Sequence, residues 1–363
     1  MVSYVEKNLQ LNATTSEAEV NNKVMNLAAG WYIAMQSKEL GKKPQAIELF
    51  SRPLVGWRDK AGKPVIMERF CSHLGASLAI GEVVDGCIRC PFHHWRYDSS
   101  GVCVDIPKVA APTTDVIPPT ARQYTYVTQE KYGYIWVWYG TATPLFELPK
   151  FDAAENDKHK YMLYRFSFPV KTTVRRAIEN AFDHHHLITM HNLPVLDQIR
   201  LTMLNEEDVE LSELPFAKEA WMGSFIEARI KSFIGVGAIT KVLGLNIETL
   251  YNRIDVWPSG FISTMKFNGQ QNEKLKAFTS FTPISENQII WHILLTINKT
   301  GNLWLDLLSY IVFGWQVEVG GLEDKPVLDA MSAFTGRAFI KSDQSLLKFR
   351  QFYQTWVAKV QSN

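Results

Sequence analysis

The sequence predicts an α+β protein of two domains, in which a β-rich domain precedes a larger domain built from an antiparallel sheet and helices. The chain has 363 residues, which is too long for one small hydrophobic core. Short runs of β-branched and aromatic residues recur between residues 30 and 140, whereas the second half mixes strand-like and helix-like periodicity. These patterns favour two consecutive domains of different architecture.

The predicted strands of the first domain are short and are separated by turn signals. They cover residues 31–35, 47–50, 64–67 and 134–138. Asp85-Gly86 stands between Val83-Val84 and Cys87-Ile88, and this pattern predicts a two-residue hairpin.

A domain boundary is predicted near residue 145, where Pro144, Pro149 and a polar run over residues 152–160 interrupt the strand pattern. The predicted division is an N-terminal arm over residues 1–29, a first domain over 30–145 and a second domain over 146–363.

The second domain begins with a strong helix signal. Thr172 or Thr173 can cap the helix, and Pro194 should end it. Its apolar face is formed by Val174, Ile178, Ala181 and Phe182. Antiparallel strands are predicted around residues 223–231, 248–267, 277–283 and 288–297. A last helical region is predicted over residues 322–360.

Composition argues against several functional classes. The formal net charge is +1, so we expect no field that would attract nucleic acid or acidic lipid. The first residues lack the apolar core of a signal peptide, which favours a cytoplasmic protein. The longest apolar stretch, residues 303–315, contains Asp306 and is too short to span a bilayer. We interpret it as a buried or lid segment, with contact to a membrane surface or a partner as the alternative.

The four cysteines of the chain crowd between residues 71 and 103, which indicates metal binding rather than disulfides. Two Cys–His pairs lie in two loops joined by a hairpin: Cys71 and His73, then Cys90 and His93. Two thiolates and two imidazoles could bind zinc in a closed site, or a [2Fe–2S] cluster with the cysteines on one iron and the histidines on the other. The Cys-x-His spacing and the neighbouring Gly75 and Pro91 favour the cluster. Cys87 and Cys103 are interpreted as ordinary strand residues.

A second group of histidines lies in the helix predicted to begin near Thr172. Its members are His184, His185, His186 and His191, and Asp183 precedes them. Surface positions are the structural alternative, but such clustering favours a metal site. On an ideal helix His186 and His191 would lie about 140° apart. They can share a metal only if the helix distorts between them, which the nearby Pro194 favours.

Both groups resemble motifs of the Rieske non-haem iron oxygenases. The segments 71–75, Cys-Ser-His-Leu-Gly, and 90–95, Cys-Pro-Phe-His-His-Trp, are similar to the Rieske motif. Asp183-x2-His186-x4-His191 is similar to the mononuclear iron motif. Respiratory Rieske proteins carry an extra disulfide that braces the cluster, which here would need cysteines at Ala76 and Phe92, and neither is a cysteine. The resemblance implies a β-rich Rieske domain followed by a helix-grip, START-like catalytic domain.

The resemblance also implies two sets of metal ligands. The [2Fe–2S] cluster would be held by Cys71, His73, Cys90 and His93. A mononuclear Fe(II) would be held by His186, His191 and an aspartate from a C-terminal helix. Asp324 stands where that aspartate is expected, and Asp329 and Glu323 are the alternatives. Two histidines and one carboxylate leave one face of the iron open for O2.

A third implication concerns electron transfer between subunits. Asp183 would connect a histidine of the mononuclear site with a cluster histidine, His93, of a neighbouring subunit in a homotrimer. Asn180 would line that route or serve as an ordinary helix residue. His184 and His185 would pack around the site rather than bind metal.

The implied function is that of a terminal oxygenase, which uses O2 to hydroxylate, demethylate or desaturate a small hydrophobic organic molecule. The pattern favours monooxygenases of the 3-ketosteroid 9α-hydroxylase type, and therefore a polycyclic or steroid-like substrate. The sequence has neither a dinucleotide-binding G-x-G-x-x-G nor a ferredoxin cysteine run, so NAD(P)H electrons should arrive through a separate reductase, with or without a ferredoxin. The alternatives are a ring cis-dihydroxylating dioxygenase α subunit and a Rieske electron-transfer protein without enzymatic activity.

Overall fold

The computed structural model describes residues 25–107, 117–155, 159–205, 214–231, 247–268, 273–332 and 336–360. Within these residues the chain forms the predicted α+β fold. Residues 1–24 of the predicted arm lie outside the described residues. The end of the arm is anchored, because Leu27, Ala28 and Ala29 are buried and the Ala29 amide donates to the carbonyl of Trp356 over 3.1 Å.

The described part of the first domain contains strands β1 to β11. Their bounds are Gly30–Gln36, Gln45–Leu49, Arg52–Arg58, Pro64–Glu68, Glu82–Val84, Cys87–Arg89, Arg96–Tyr97, Cys103–Asp105, Thr125–Tyr126, Thr128–Lys131 and Tyr134–Tyr139. They form three antiparallel sheets, ordered β1-β11-β10, β2-β3-β4-β9 and β5-β6-β7-β8. The third sheet positions the two loops with the Cys–His pairs.

The predicted hairpin at Asp85-Gly86 is confirmed. Both residues have positive φ, 51° and 77°, and they join β5 to β6 as a two-residue turn requires. The turn between β2 and β3 was not visible in the sequence, because it places Phe50 and Ser51 at φ values of 59° and 57°. Their amides donate to carbonyls of residues 283 and 284, so contacts from the second domain hold this turn.

The second domain is built on one antiparallel sheet of seven strands. Strands β12 to β18 cover Tyr161–Val170, Arg200–Leu204, Met222–Arg229, Thr249–Trp257, Gly260–Phe267, Leu275–Ser285 and Gln288–Asn298. Their order is β12-β18-β17-β16-β15-β14-β13. The strand predicted over residues 248–267 is wrong in one respect, since it is two strands that turn between Trp257 and Gly260. The intervening Pro258-Ser259 is a turn signal that the prediction overlooked.

Four α-helices lie in the described part of this domain. They are α1 (Val174–Glu179), α2 (His185–Thr189), α3 (Leu303–Ala330) and α4 (Gln344–Val357). Helix α3 packs against β12 and β18. The predicted cap is confirmed, because the side chain of Thr173 accepts a hydrogen bond from the amide of Arg176 over 3.2 Å. The predicted stop at Pro194 is wrong, because the helical segment breaks at Asp183 and α2 ends at Thr189.

The last helical region begins earlier than predicted. Helix α3 starts at Leu303 rather than near residue 322, because Asn302 caps it by accepting from the amides of Trp304 and Leu305. A separate helix, α4, follows.

Of the two interpretations of residues 303–315, full burial is wrong, and a lid stays a prediction. Only one side of this part of α3 packs on the domain, with Val312 and Phe313 buried. The other side exposes apolar residues, among them Leu303 and Trp304, which are 84% and 81% exposed. No helix in the described ranges is both long and apolar enough to cross a membrane.

The two predicted domains share one hydrophobic core. Trp31 in β1 is fully buried, and its indole Nε1 donates to the carbonyl of Phe146 over 2.9 Å. Its own carbonyl accepts from Ser259 Oγ over 2.6 Å. A smaller core beneath the third sheet contains Cys71, Cys90 and nine other buried apolar residues. The boundary near residue 145 remains a prediction.

A buried histidine takes part in the contact between the domains. Nε2 of His292 lies 2.8 Å from Oγ1 of Thr282, which itself donates to the carbonyl of Ile33 over 2.7 Å. Because a hydroxyl has a single proton, Thr282 must accept from Nε2 of His292. Burial lowers the pKa of His292 from 6.5 to about 4.

His292 should make the fold sensitive to acid. The folded-state pKa lies below the unfolded value, so stability is fully present above pH 6.5 and falls as the pH drops towards 4. The loss should reach about 3 kcal/mol at pH 4. His292→Gln can still donate to Thr282 but cannot titrate. Thermal unfolding of parent and variant between pH 7 and 4.5 should therefore show a shallower slope for the variant, and equal slopes would contradict the prediction.

Candidate metal centres

The two loops with the Cys–His pairs make the same turn. In the first, the amide of Gly75 donates to the carbonyl of Cys71 over 2.9 Å. In the second, the amide of His94 donates to the carbonyl of Cys90 over 3.1 Å. Gly75 and His94 occupy equivalent positions and both have positive φ, 73° and 59°. The two loops therefore present their Cys–His pairs in matching conformations.

The thiols and the imidazoles lie at different depths. Cys71 and Cys90 are buried, whereas His73 and His93 are exposed. The two imidazole rings lie 4.6 Å apart, and His73 stacks on Trp95 at 4.3 Å with an angle of 4°. This arrangement fits a [2Fe–2S] cluster whose cysteine iron is buried and whose histidine iron lies at the surface.

Sequence reasoning missed one polar contact to these thiols. The hydroxyl of Tyr97 lies 3.0 Å from Sγ of Cys71 and 3.0 Å from Oγ of Ser72. Burial and the contact with Cys71 raise the pKa of Tyr97 above its ordinary value, so the hydroxyl keeps its proton and can donate to sulfur. Such a bond stabilises a reduced cluster and raises its potential. The sequence did offer a signal for this contact, because Tyr97 lies only two residues after the cluster motif that ends at Trp95.

Replacing His93 with Cys tests the cluster ligands. A third thiolate in place of a neutral imidazole should lower the reduction potential and change the visible absorption. His94→Asn is the matched control, since asparagine tolerates positive φ and His94 is outside the predicted ligand set. An unchanged potential in His93→Cys would contradict the assignment.

The second histidine group lies where the helical segment is interrupted. Asp183 has an extended backbone, and its Oδ1 accepts from the amide of His185 over 3.0 Å, which starts α2. At the other end of α2, the amide of His191 approaches the carbonyl of His186 at 3.4 Å. The rings of His186 and His191 come within 5.2 Å of each other. The two histidines depart from ideal helix geometry as expected, but they do so because α2 ends at Thr189, before His191.

Helix α3 brings a carboxylate to these rings. Candidate ligand atoms of His186, His191 and Asp324 all lie within 4.8 Å of one another. Oδ1 of Asp324 is 3.2 Å from Nε2 of His191, and its Oδ2 accepts from Nδ2 of Asn180 over 3.2 Å. Asn180 therefore orients a candidate ligand. Two imidazoles and one buried carboxylate are the donor set of a non-haem iron site.

The two alternative carboxylates have other partners. Oδ1 of Asp329 accepts from the amide of Lys171 over 2.6 Å, and its Oδ2 pairs with Lys325. Oε2 of Glu323 lies 2.8 Å from Nδ1 of His191. Glu323 therefore contacts the edge of the ring opposite to the one that faces Asp324.

Between these two carboxylates His191 has an unusual electrostatic environment. A neutral imidazole has one N–H and can therefore donate a hydrogen bond to only one of the two carboxylates. Hydrogen bonding to Asp324, and then to Glu323, raises the pKa of His191 to about 9 despite its partial burial. A divalent cation bound at Nε2 would compete with a proton shared between His191 and Asp324.

The helices that support the site are held by a buried ionic contact. The carboxylate of Glu179 in α1 is 6% exposed and accepts from Nε and Nη2 of Arg350 over 2.8 and 3.0 Å. This bidentate pair ties α1 to α4. His185 contacts the segment before α4, with its Nε2 3.0 Å from Oγ of Ser342. Sequence reasoning missed these contacts, because the partners lie far apart in the chain.

Comparisons with known proteins identify the family of this chain. Residues 30–125 match the family of the Rieske [2Fe–2S] domain. The chain is 40% identical over 341 residues to an aminopyrrolnitrin oxygenase of Pseudomonas fluorescens. The alignment covers 93% of each chain. It is 30% identical over 184 residues to the oxygenase component of a 3-ketosteroid-9-alpha-monooxygenase of Rhodococcus rhodochrous. This alignment covers 49% of this chain and 47% of that one.

Solved structures show the same fold. Dicamba monooxygenase bound to dicamba superposes with a TM-score of 0.71 at 18% identity, over 93% of this chain and 98% of that one. NdmB of Pseudomonas putida CBB5 superposes with a TM-score of 0.69 at 17% identity, over 93% and 98%. The protein is thus an O2-dependent oxidoreductase with a [2Fe–2S] cluster and a mononuclear iron, and the chain belongs to the Rieske non-haem iron oxygenases.

Proposed function

We propose that His186, His191 and Asp324 hold the mononuclear iron, and that the cluster is held by Cys71, His73, Cys90 and His93. The observation that carries the first assignment is the convergence of three ligand atoms from α2, its C-terminal turn and α3 within 4.8 Å. When bound, the iron supplies open coordination positions for O2, and the cluster supplies electrons one at a time. Asn180 holds the Asp324 carboxylate in place through the hydrogen bond to its Oδ2.

Electrons should pass from cluster to iron between subunits of a homotrimer. Asp183 supports this route, because its side chain is 44% exposed and its Oδ2 lies 3.9 Å from Nδ1 of His186. The cluster histidine His93 is exposed as well. Asp183 would therefore accept a hydrogen bond from His93 of a neighbouring subunit on one side and orient His186 on the other.

The substrate is proposed to be a small, largely apolar organic molecule. The full-length similarity is to an oxygenase named for aminopyrrolnitrin, so an amino-bearing compound is the first candidate. Ketosteroid monooxygenases match over about half of the chain, which keeps a steroid-like or other polycyclic compound as the second. Electrons would come from NAD(P)H through a separate reductase, with or without a ferredoxin, in the cytoplasm.

Product analysis tests the proposed reaction. The purified protein, supplied with a ferredoxin–reductase pair and NADH, should be offered aminopyrrolnitrin and a 3-ketosteroid under 18O2. Incorporation of one labelled oxygen supports monooxygenation, and its position on nitrogen or carbon separates the two substrate classes. A cis-diol with two labelled oxygens would favour the dioxygenase alternative, to which a 32% identical 3-chlorobenzoate-3,4-dioxygenase subunit of Comamonas testosteroni points. An organic product that forms equally well without O2 would contradict the proposal.

A further inference from the structure

Glu323 contacts a proposed iron ligand without being one. Its Oε2 lies 2.8 Å from Nδ1 of His191, and Oδ1 of Asp324 lies 3.2 Å from Nε2 of the same ring. Neighbouring residues on a helix point about 100° apart. The two adjacent carboxylates of α3 can therefore reach opposite edges of one imidazole.

We propose that Glu323 is a positioning residue for the mononuclear iron, which holds the Nδ1 proton of His191 and leaves the Nε2 lone pair for the metal. This inference rests on the iron site proposed above. A histidine that binds a metal through one nitrogen commonly donates from the other to a carboxylate, which fixes the tautomer and raises the basicity of the ring.

The tautomer matters because Asp324 competes for the same proton. If the single proton of a neutral His191 were on Nε2, the ring would bind Asp324 and its metal-binding nitrogen would be blocked. Glu323 favours the tautomer with the proton on Nδ1, because its contact with the ring is shorter than that of Asp324. The side chain of Glu323 is 42% exposed, against 11% for Asp324.

The other histidine of the site has no such partner. Nδ1 of His186 is buried and has no hydrogen-bond partner among the described residues, and Asp183 stays 3.9 Å away. Within the described residues of one chain, therefore, Glu323 contacts Nδ1 of His191, whereas Nδ1 of His186 makes no hydrogen bond. Glu323 should accordingly contribute to metal affinity in every subunit, independently of the contact between subunits.

Metal affinity tests this role without turnover. A chelator would empty the mononuclear site of the protein with its cluster intact, and Co(II) would then be titrated as a spectroscopic probe. Glu323→Ala should weaken Co(II) binding by about 10–100-fold. Glu323→Gln should recover part of the loss, because its amide oxygen accepts from Nδ1 without the charge. Glu318→Gln is the matched control, since Glu318 is on the same helix and pairs with Tyr164 instead of a histidine.

His191→Ala separates failure of this inference from failure of the iron site. If His191→Ala loses Co(II) and Glu323→Ala binds it as tightly as the parent, only the positioning role is overturned. If both variants bind like the parent, the site itself is wrong. Equal weakening in Glu323→Ala and Glu318→Gln, or a lower Co(II) coordination number in Glu323→Ala, would also overturn the positioning role.

Discussion

Alanine at either His186 or His191 should abolish product formation and remove one iron per chain, while the cluster keeps its colour and its reducibility. The physical reason is that separate sets of residues are proposed to bind the cluster and the iron. The cluster loops lie in the sheet of strands β5 to β8, whereas both histidines lie at α2 and meet Asp324 from α3. An imidazole removed from a three-ligand site leaves too few donors for a divalent ion. Iron analysis, visible absorption and product assays would be combined.

The control for these variants is the neighbouring histidine His184. It is partly buried, and burial lowers the pKa of its ring, but it is outside the group of three. His184→Ala should therefore keep its full iron content. A His186→Ala or His191→Ala protein that retains normal turnover would refute the iron site. Loss of both metals together would point to a folding defect, and far-UV circular dichroism would recognise it.

The sequence was most informative where chemistry is local. The cluster loops are short segments whose ligands, turns and glycine are close in sequence, so Cys71, His73, Cys90 and His93 could be proposed as ligands before any fold was known. The hairpin at Asp85-Gly86 and the cap at Thr173 are equally local, and both are confirmed. Each of these features depends on residues within a few positions of one another.

Features that depend on distant contacts were predicted less well. Asp324 could be named only through family resemblance, because no spacing rule connects it with His191. The bond of Tyr97 to Cys71 and the pair of Glu179 with Arg350 needed the fold. Two errors were avoidable, since Asn302 was a visible cap for α3 and Pro258-Ser259 a visible turn.

The exposed apolar side of α3 shows a further limit of sequence patterns. Hydrophobic content suggested burial of residues 303–315, yet Leu303, Trp304 and Ile311 face outward. Composition reports how apolar a segment is, but only packing decides which side of a helix is covered. Asp306 in the same segment shows the opposite, since a charged residue is buried there. Its carboxylate can be buried because it accepts hydrogen bonds from the amide and hydroxyl of Thr300.

Replacing Asp183 with Asn should lower product formation by at least about 100-fold while both metal sites stay loaded. The substitution keeps the shape of the side chain, and its amide oxygen can still accept from the amide of His185, as Oδ1 does over 3.0 Å. What is lost is the negative charge at Oδ2, next to Nδ1 of His186. Because the side chain is 44% exposed, the fold should lose only about 1 kcal/mol or less.

The step that Asp183→Asn should impair is electron transfer from the cluster to the mononuclear iron. Reduction of the cluster by the reductase should remain normal, so a stopped-flow single turnover with pre-reduced protein, substrate and O2 isolates the step. Cluster reoxidation should be slowed about as much as product formation. Asp197→Asn is the matched control, a carboxylate of similar exposure that pairs with Arg229. If Asp183→Asn reoxidises as fast as the parent, Asp183 does not connect the two metal sites, and the proposed path between subunits is wrong.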